Sequence, residues 1–211
     1  MTDPRANELR AGYASVARAY REHLADELAG KPLDRAFLDA FAERCAGGPI
    51  VDVGCGPGHV ARYLASRDAR VEGLDLSPEM IEEARLSHPA LTFRVGDMFA
   101  LPYEAGSIRG IVAFYAIVHL RSDELVAPFR ELRRVLAPGG LLALAFHIGS
   151  ETVHVDNLFG AATSLDFTMH APDAVVAALG EAGFALEARL DREPYPDAEH
   201  PTRRTYLLAH A

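Results

Sequence analysis

Val51-Asp52-Val53-Gly54-Cys55-Gly56-Pro57-Gly58-His59 is the stretch on which the fold turns. Ile50, Val51 and Val53 are β-branched and apolar, as a strand covered on both faces requires. Three glycines at alternate positions then let the backbone turn sharply and let a ligand approach it closely. The helix expected after them, from His59 to about Arg67, aims its free N–H groups and positive dipole end at the same space. A strand, a glycine-rich turn and a helix start in that order suit a nucleotide or another ligand with polar ribose and carboxylate groups.

Outward from this stretch the chain alternates. Strands are expected at Arg70–Leu74, Leu91–Val95, Ser107–Phe114 and Leu141–Phe146. Helices are expected from Ser77 to about Ser87 and from Ser122 to about Val135. Ser77-Pro78-Glu79 is a good helix start: a capping serine, a proline in the first turn and an acid near the positive end. Strands alternating with helices predict an α/β, Rossmann-like, doubly wound sheet with five parallel strands. Residues 1–46 precede the first strand. Their apolar residues recur at helical spacing (Leu9, Tyr13, Val16, Tyr20, then Leu33, Phe37, Leu38, Phe41), which predicts an N-terminal helical cap. After a helix at Pro172–Glu181, strands at Phe184–Leu190 and Arg203–Ala209 have no helix between them and so form a C-terminal antiparallel β-hairpin.

The 211 residues are read as one domain: a cap over 1–46, a ligand-binding core over 50–147 and a substrate-side segment with the hairpin over 148–211. Net charge is −9, from 30 acidic against 21 basic residues, which disfavours nonspecific binding to nucleic acid or anionic membranes. Two cysteines, Cys45 and Cys55, make neither a disulfide framework nor a metal-ligand spacing, so no metal is expected. The polar N-terminus and the lack of a long apolar run predict a cytoplasmic protein with no membrane span.

Three features fall at the carboxyl ends of successive strands, where open α/β sheets bind ligands. They are the glycine loop, Asp75 about twenty residues beyond it and suited to ribose hydroxyls, and Asp97, suited to an adenine amino group. The dinucleotide fingerprint has a glycine three positions after its second one. Here that place is His59, which counts against NAD or FAD.

Four stretches, VDVGCGPGHVARYL (51–64), GLDLSPEMIEEAR (73–85), VGDMFALPYEAGSIRGIVAFYAIVHL (95–120) and ELRRVLAPGGLLALAFH (131–147), resemble successive motifs of class I S-adenosylmethionine-dependent methyltransferases. The resemblance covers about Ile50 to Phe146. It implies S-adenosylmethionine as cofactor, S-adenosylhomocysteine as product, and methyl transfer to a small-molecule acceptor. Gly54, Cys55 and Gly56 then approach the methionine part of the cofactor. Asp75, with Leu76 beside it, takes the ribose hydroxyls; Asp97 and Met98 border the adenine; Ala113 and Phe114 face the methionine end. Ala113-Phe114-Tyr115-Ala116 lacks the (Asn/Asp)-Pro-Pro-aromatic tetrad that amino-methylating DNA and glutamine methyltransferases share, which argues against those substrates. If the cap is a lid, Tyr13 lies over the cofactor, and Tyr20 joins Tyr115, His147 and His154 in the acceptor pocket. His119 is the candidate general base for a hydroxyl acceptor. Two rival readings are a nicotinamide-dependent oxidoreductase on a similar sheet and a non-catalytic S-adenosylmethionine-binding protein.

Overall fold

The computed structural model describes residues 4–196 and 199–211. The first three positions of the expected cap and positions 197–198 of the expected hairpin loop lie outside them. In chain order the elements are α1 (Pro4–Leu24), a 3-10 turn (Glu27–Gly30), α2 (Pro32–Arg44), β1 (Pro49–Val53), α3 (His59–Ala65), β2 (Arg70–Asp75), α4 (Pro78–Ser87), β3 (Thr92–Val95) and β4 (Ile108–Phe114). There follow a 3-10 turn (Ser122–Glu124), α5 (Val126–Val135), β5 (Leu136–His147), β6 (Thr152–Leu158), β7 (Ala161–Thr168), α6 (Pro172–Glu181), β8 (Ala185–Arg192) and β9 (Arg204–His210).

One seven-stranded sheet runs in the order β3-β2-β1-β4-β5-β9-β8. β1 to β5 are parallel, with Val51 opposite Glu72 on one side and Ile111 on the other. The terminal strands are antiparallel but not separate: β9 pairs directly with β5, Leu144 against Leu207, and β8 closes the edge. The expected five strands and hairpin are thus a single sheet of seven. The reversal of order at β1/β4 opens the crevice in which such sheets hold ligands.

Period-two alternation puts successive residues on opposite faces. Val51, Val53, Ile111, Ala113, Leu142 and Leu144 pack on the α5/α6 side, with Phe129, Leu132 and Leu179. Ile50, Val112, Phe114, Ala143 and Tyr206 pack on the other, with Leu38, Phe41 and Leu64 of α2 and α3. Ser77 caps α4 as expected, its hydroxyl accepting from the Met80 amide at 3.2 Å.

Two features of the cap depart from expectation. The helical cap is broken: the first helix ends at Leu24, and the following 3-10 turn buries Leu28 while turning Glu27 and Lys31 inward. The segment after β5 is a second, two-stranded antiparallel sheet, β6–β7, turned at Phe159-Gly160 with both φ angles positive. Such a two-residue turn matches the natural twist of a hairpin. α1 lies along β7. Gly12, mid-helix, permits the contact, since a Cβ there would stand 2.5 Å from Leu165 Cδ2 and 3.1 Å from the Ser164 carbonyl oxygen. Among the described residues no helix is long and apolar enough to cross a membrane.

Candidate active site

A cavity of about 420 Å³ lies at the carboxyl ends of β1, β2 and β4, roofed by α1 and the β6–β7 hairpin. Its floor is the glycine loop. Gly54, Gly56 and Gly58 all have positive φ, at 71°, 51° and 83°. Gly54 is required by packing, because a Cβ there would meet Ala116 Cβ at 2.6 Å. Gly56 is different: a Cβ there would have Tyr20 Cε1, another cavity residue, as its nearest neighbour at 4.0 Å. Its bare backbone faces open space that a ligand can fill.

Asp75, at the end of β2, holds this floor. Its Oδ2 accepts from the Gly56 amide at 2.8 Å and its Oδ1 from the Ser77 amide at 2.9 Å. Burial raises its pKa, and the amides oppose that rise. Each oxygen keeps acceptor capacity for ligand hydroxyls. Asp97, after β3, accepts from the Phe99 amide at 2.9 Å through Oδ1, so it is a turn residue and also lines the cavity, with Met98 beside it.

His119, in the loop after β4, has both ring nitrogens engaged. Nδ1 lies 2.7 Å from the Asp166 carbonyl oxygen of β7, and Nε2 lies 2.6 Å from the Tyr13 hydroxyl of α1. Burial pushes its pKa down to about 4, which keeps the ring neutral near pH 7. The ring is wedged between Tyr13, with centroids 5.3 Å apart, and Phe167, at 5.0 Å. Tyr13 meets Tyr20 edge-on, and Tyr20 meets Phe159 at the hairpin turn.

At the β4/β5 end of the cavity, Tyr115 has φ 55°, a left-handed conformation that costs a tyrosine about 1–3 kcal/mol. It directs the chain over Gly54. His147 packs on the Tyr115 ring at 4.9 Å and hydrogen-bonds Thr202 Oγ1 at 2.7 Å; burial, then Arg204, push its pKa down to about 3.

Every predicted site residue but two reaches this cavity. Ala113 is fully buried in the sheet, behind the cavity wall. His154 is on the outer side of the hairpin, with its side chain 52% exposed and paired with Asp166 and Asp156. Sequence reasoning missed an ionic cluster on the wall. Glu27 binds Lys31 and also His59 Nε2, the latter at 3.1 Å, and Lys31 Nζ lies 3.1 Å from Glu199. Burial opposes the charge on Glu27, but His59 and Lys31 outweigh it and hold its carboxyl down to about 2. Lys31 sits in Gly30-Lys31-Pro32, which reads in sequence only as punctuation. Phe159 and Phe167 were legible only as apolar residues of the substrate-side segment; the hairpin that carries them could have been found from the alternation of Val153-His154-Val155-Asp156 and the turn-forming Asn157 to Gly160.

A family model described as "Methyltransferase domain" matches residues 50–140. The malonyl-[acyl-carrier protein] O-methyltransferase of Enterobacter lignolyticus is 32% identical over 133 residues, 63% of this chain and 51% of that protein. The N-demethylindolmycin N-methyltransferase of Streptomyces griseus is 39% identical over 101 residues, 46% of this chain and 43% of that protein. The chain thus matches about half the length of these curated relatives. The crystal structure of magnesium protoporphyrin IX methyltransferase from Synechocystis with bound SAM superposes with a TM-score of 0.75, at 18% identity, over 99% of this chain and 98% of that one. Residues 50–140 thus match a methyltransferase-domain model, and the chain as a whole shares the fold of that crystal structure.

Proposed function

We propose that this protein transfers the methyl group of S-adenosylmethionine to a small-molecule acceptor. The observation that carries the reading is the junction of Gly56 and Asp75: a glycine backbone facing open cavity, held by a carboxylate at the end of the next strand. This cradle fits the cofactor. Asp75 would take its ribose hydroxyls, Asp97 and Met98 would border the adenine, and Gly54 to Gly56 would lie along the methionine part. Tyr20, Glu27 and Lys31, on the cavity wall beside the loop, offer polar partners to the amino and carboxylate groups of that part. When bound, the cofactor supplies an electrophilic methyl group on a sulfonium. The chain's own task is to hold the acceptor in line and exclude water, and proximity of that kind can supply roughly 7–11 kcal/mol of a barrier.

The acceptor side supports a small organic molecule. Val153, Phe159, Phe167 and Met169 give an apolar wall, and Tyr13, His119 and His147 give a few convergent polar groups. The two curated relatives are named as an O-methyltransferase of malonyl-[acyl-carrier protein] and an N-methyltransferase of N-demethylindolmycin, so the likeness supports the reaction class rather than one acceptor.

Calorimetric titration with S-adenosylmethionine tests the reading. Wild type is expected to bind, and Asp75→Ala to weaken binding roughly 10–100-fold, the worth of hydrogen bonds to a charged group. Absence of binding, or binding indifferent to Asp75→Ala, overturns the site.

A further inference from the structure

Arg204 opens β9 opposite His147 of β5, so it stands at the carboxyl ends of the parallel strands, on the cavity wall. In the order β1-β4-β5-β9 it is three strand spacings, about 14 Å, from the strand that carries the glycine loop. That places it on the acceptor's side of the cavity, beyond the groups assigned to the cofactor. The side chain is 3% exposed, and its guanidinium is only half engaged. Nη1 donates to the His200 carbonyl at 3.1 Å and to the Thr202 carbonyl at 2.5 Å. Among the described residues, neither Nε nor Nη2 has a hydrogen-bond partner. Glu199 Oε1 is a counter-charge 3.2 Å from Nε, but it lies off the line of the N–H. Its oxygens are already engaged: Arg192 donates to both, the Tyr195 amide donates to Oε2, and Lys31 Nζ lies 3.1 Å from Oε1.

Nε and Nη2 form the edge of a guanidinium that meets both oxygens of a carboxylate at once. Leaving these N–H groups unpaired in a buried wall costs free energy, and the chain itself supplies no group to satisfy them. The neighbours point the same way. His147 holds Thr202 Oγ1 through Nδ1, and among the described residues its Nε2 has no partner. After burial, the charges of Arg204, His200 and Lys31 disfavour a proton on His147, with Glu199 opposing them, so the field at this end of the cavity is positive. Val153, Phe167 and Met169 line the same cavity and give apolar cover to the body of a ligand.

We propose that the Nε/Nη2 edge of Arg204 receives a carboxylate carried by the methyl acceptor, which is therefore a small organic acid with an apolar body. The inference rests on the methyltransferase reading and narrows its substrate class. The carboxylate is a handle: it anchors one end of the acceptor at β9, while the atom to be methylated points back toward the glycine loop. Arg204 is a specificity-determining residue and takes no part in the transfer itself.

The test uses the full chain saturated with S-adenosylhomocysteine and titrated by calorimetry with hydrocinnamate and with its neutral amide, hydrocinnamamide. Wild type is expected to bind the acid about 10–100-fold more tightly than the amide, the worth of hydrogen bonds from a charged group. Arg204→Lys keeps the charge and loses the fork, whereas Arg204→Gln loses both. The preference is expected to shrink in the first and vanish in the second, while affinity for S-adenosylhomocysteine changes less than about threefold in each. In wild type the Arg204 Hε resonance is expected to move downfield with the acid and to stay in place with the amide, a readout that needs no variant. Equal binding of acid and amide, binding of neither, an unmoved Hε, or a preference intact in Arg204→Gln overturns the subsite alone. So does a loss confined to S-adenosylhomocysteine, which would assign the fork to the cofactor's own carboxylate. Failure of wild type to bind S-adenosylhomocysteine overturns the methyltransferase reading and the subsite with it.

Discussion

Asp52 lies on β1 between two valines, 2% exposed, one strand position from the glycine loop. Among the described residues its Oδ2 has no hydrogen-bond partner, and neither does the buried Nδ1 of His59, a neighbour whose positive charge would favour the ionised form. Burial raises its pKa to about 7. An unfolded aspartate titrates near 3.9, so between about 4 and 7 the folded chain holds a proton that the unfolded chain has lost. Stability then falls as pH rises through that window. Asp52→Asn is expected to flatten this slope, as read from urea unfolding midpoints across pH 4–8. An unchanged slope would mean that Asp52 is already ionised in the fold. His119 works in the opposite sense. Its folded pKa is depressed to about 4, so the stability it contributes is present above about 6.5 and is lost as pH falls toward 4. Asp52 was legible in sequence as an acid inside the first motif. Its unpartnered Oδ2 was not, because that depends on how α3 packs against β1.

At the scale of elements, the cap decides access to the site. α1 contains Gly12, which costs an isolated helix about 1 kcal/mol relative to alanine. Here the comparison reverses. The Cβ of an alanine would press on Leu165, 2% exposed, and on the backbone oxygen of Ser164. Overpacking of this kind costs typically 1–3 kcal/mol, so Gly12→Ala is expected to be destabilising by up to about 2 kcal/mol in spite of its better helix propensity. Limited proteolysis should show α1 and the hairpin cut sooner in the variant, with the seven-stranded core surviving. Equal or slower cleavage would show that α1 does not rest on β7 in solution. The helical stripe of residues 1–46 was readable because amphipathic spacing is local. The seat of α1 on β7 was not, since its partner lies about 150 residues away.

At the scale of the whole molecule, Arg192 joins the two ends of the chain. From β8 it reaches Asp34 of α2 at 2.7 Å, Glu199 at 2.6 and 2.8 Å, and the Tyr206 hydroxyl of β9 at 2.6 Å, and its guanidinium lies over the Tyr195 ring. Its side chain is 6% exposed, and those of Asp34 and Glu199 are 1% and 0%. A buried pair of this kind is weak evidence for net stabilisation, but removing one partner strands the other charges. Arg192→Met is expected to cost about 3–5 kcal/mol in guanidinium unfolding, since it leaves Asp34 and Glu199 short of a cation. A loss below about 1 kcal/mol would show that Lys31 and Arg204, which also approach Glu199, carry its charge without help. Through Glu199 and Lys31 the same cluster reaches the cavity wall, so the loosening is expected to weaken S-adenosylmethionine binding as well.

The sequence by itself determined the parallel core, the glycine floor and its two acids. Each of these is written in a local pattern: apolar runs set strands, a capping serine set α4, and Gly54, Gly56, Asp75 and Asp97 fall at the ends of consecutive strands because β–α alternation puts them there. The structure keeps all of these in place. Tertiary structure alone decided that the last two strands join the main sheet, that residues 152–168 fold as a hairpin roof, and that Tyr13, His119 and the Asp166 carbonyl meet. It also decided that Glu27, Lys31 and Glu199 share a buried cluster, where sequence shows only scattered charges. The physical reason is range. Hydrophobic period and helix capping act over a few residues, whereas a buried hydrogen bond or ion pair is fixed by which distant segments must pack together to exclude water.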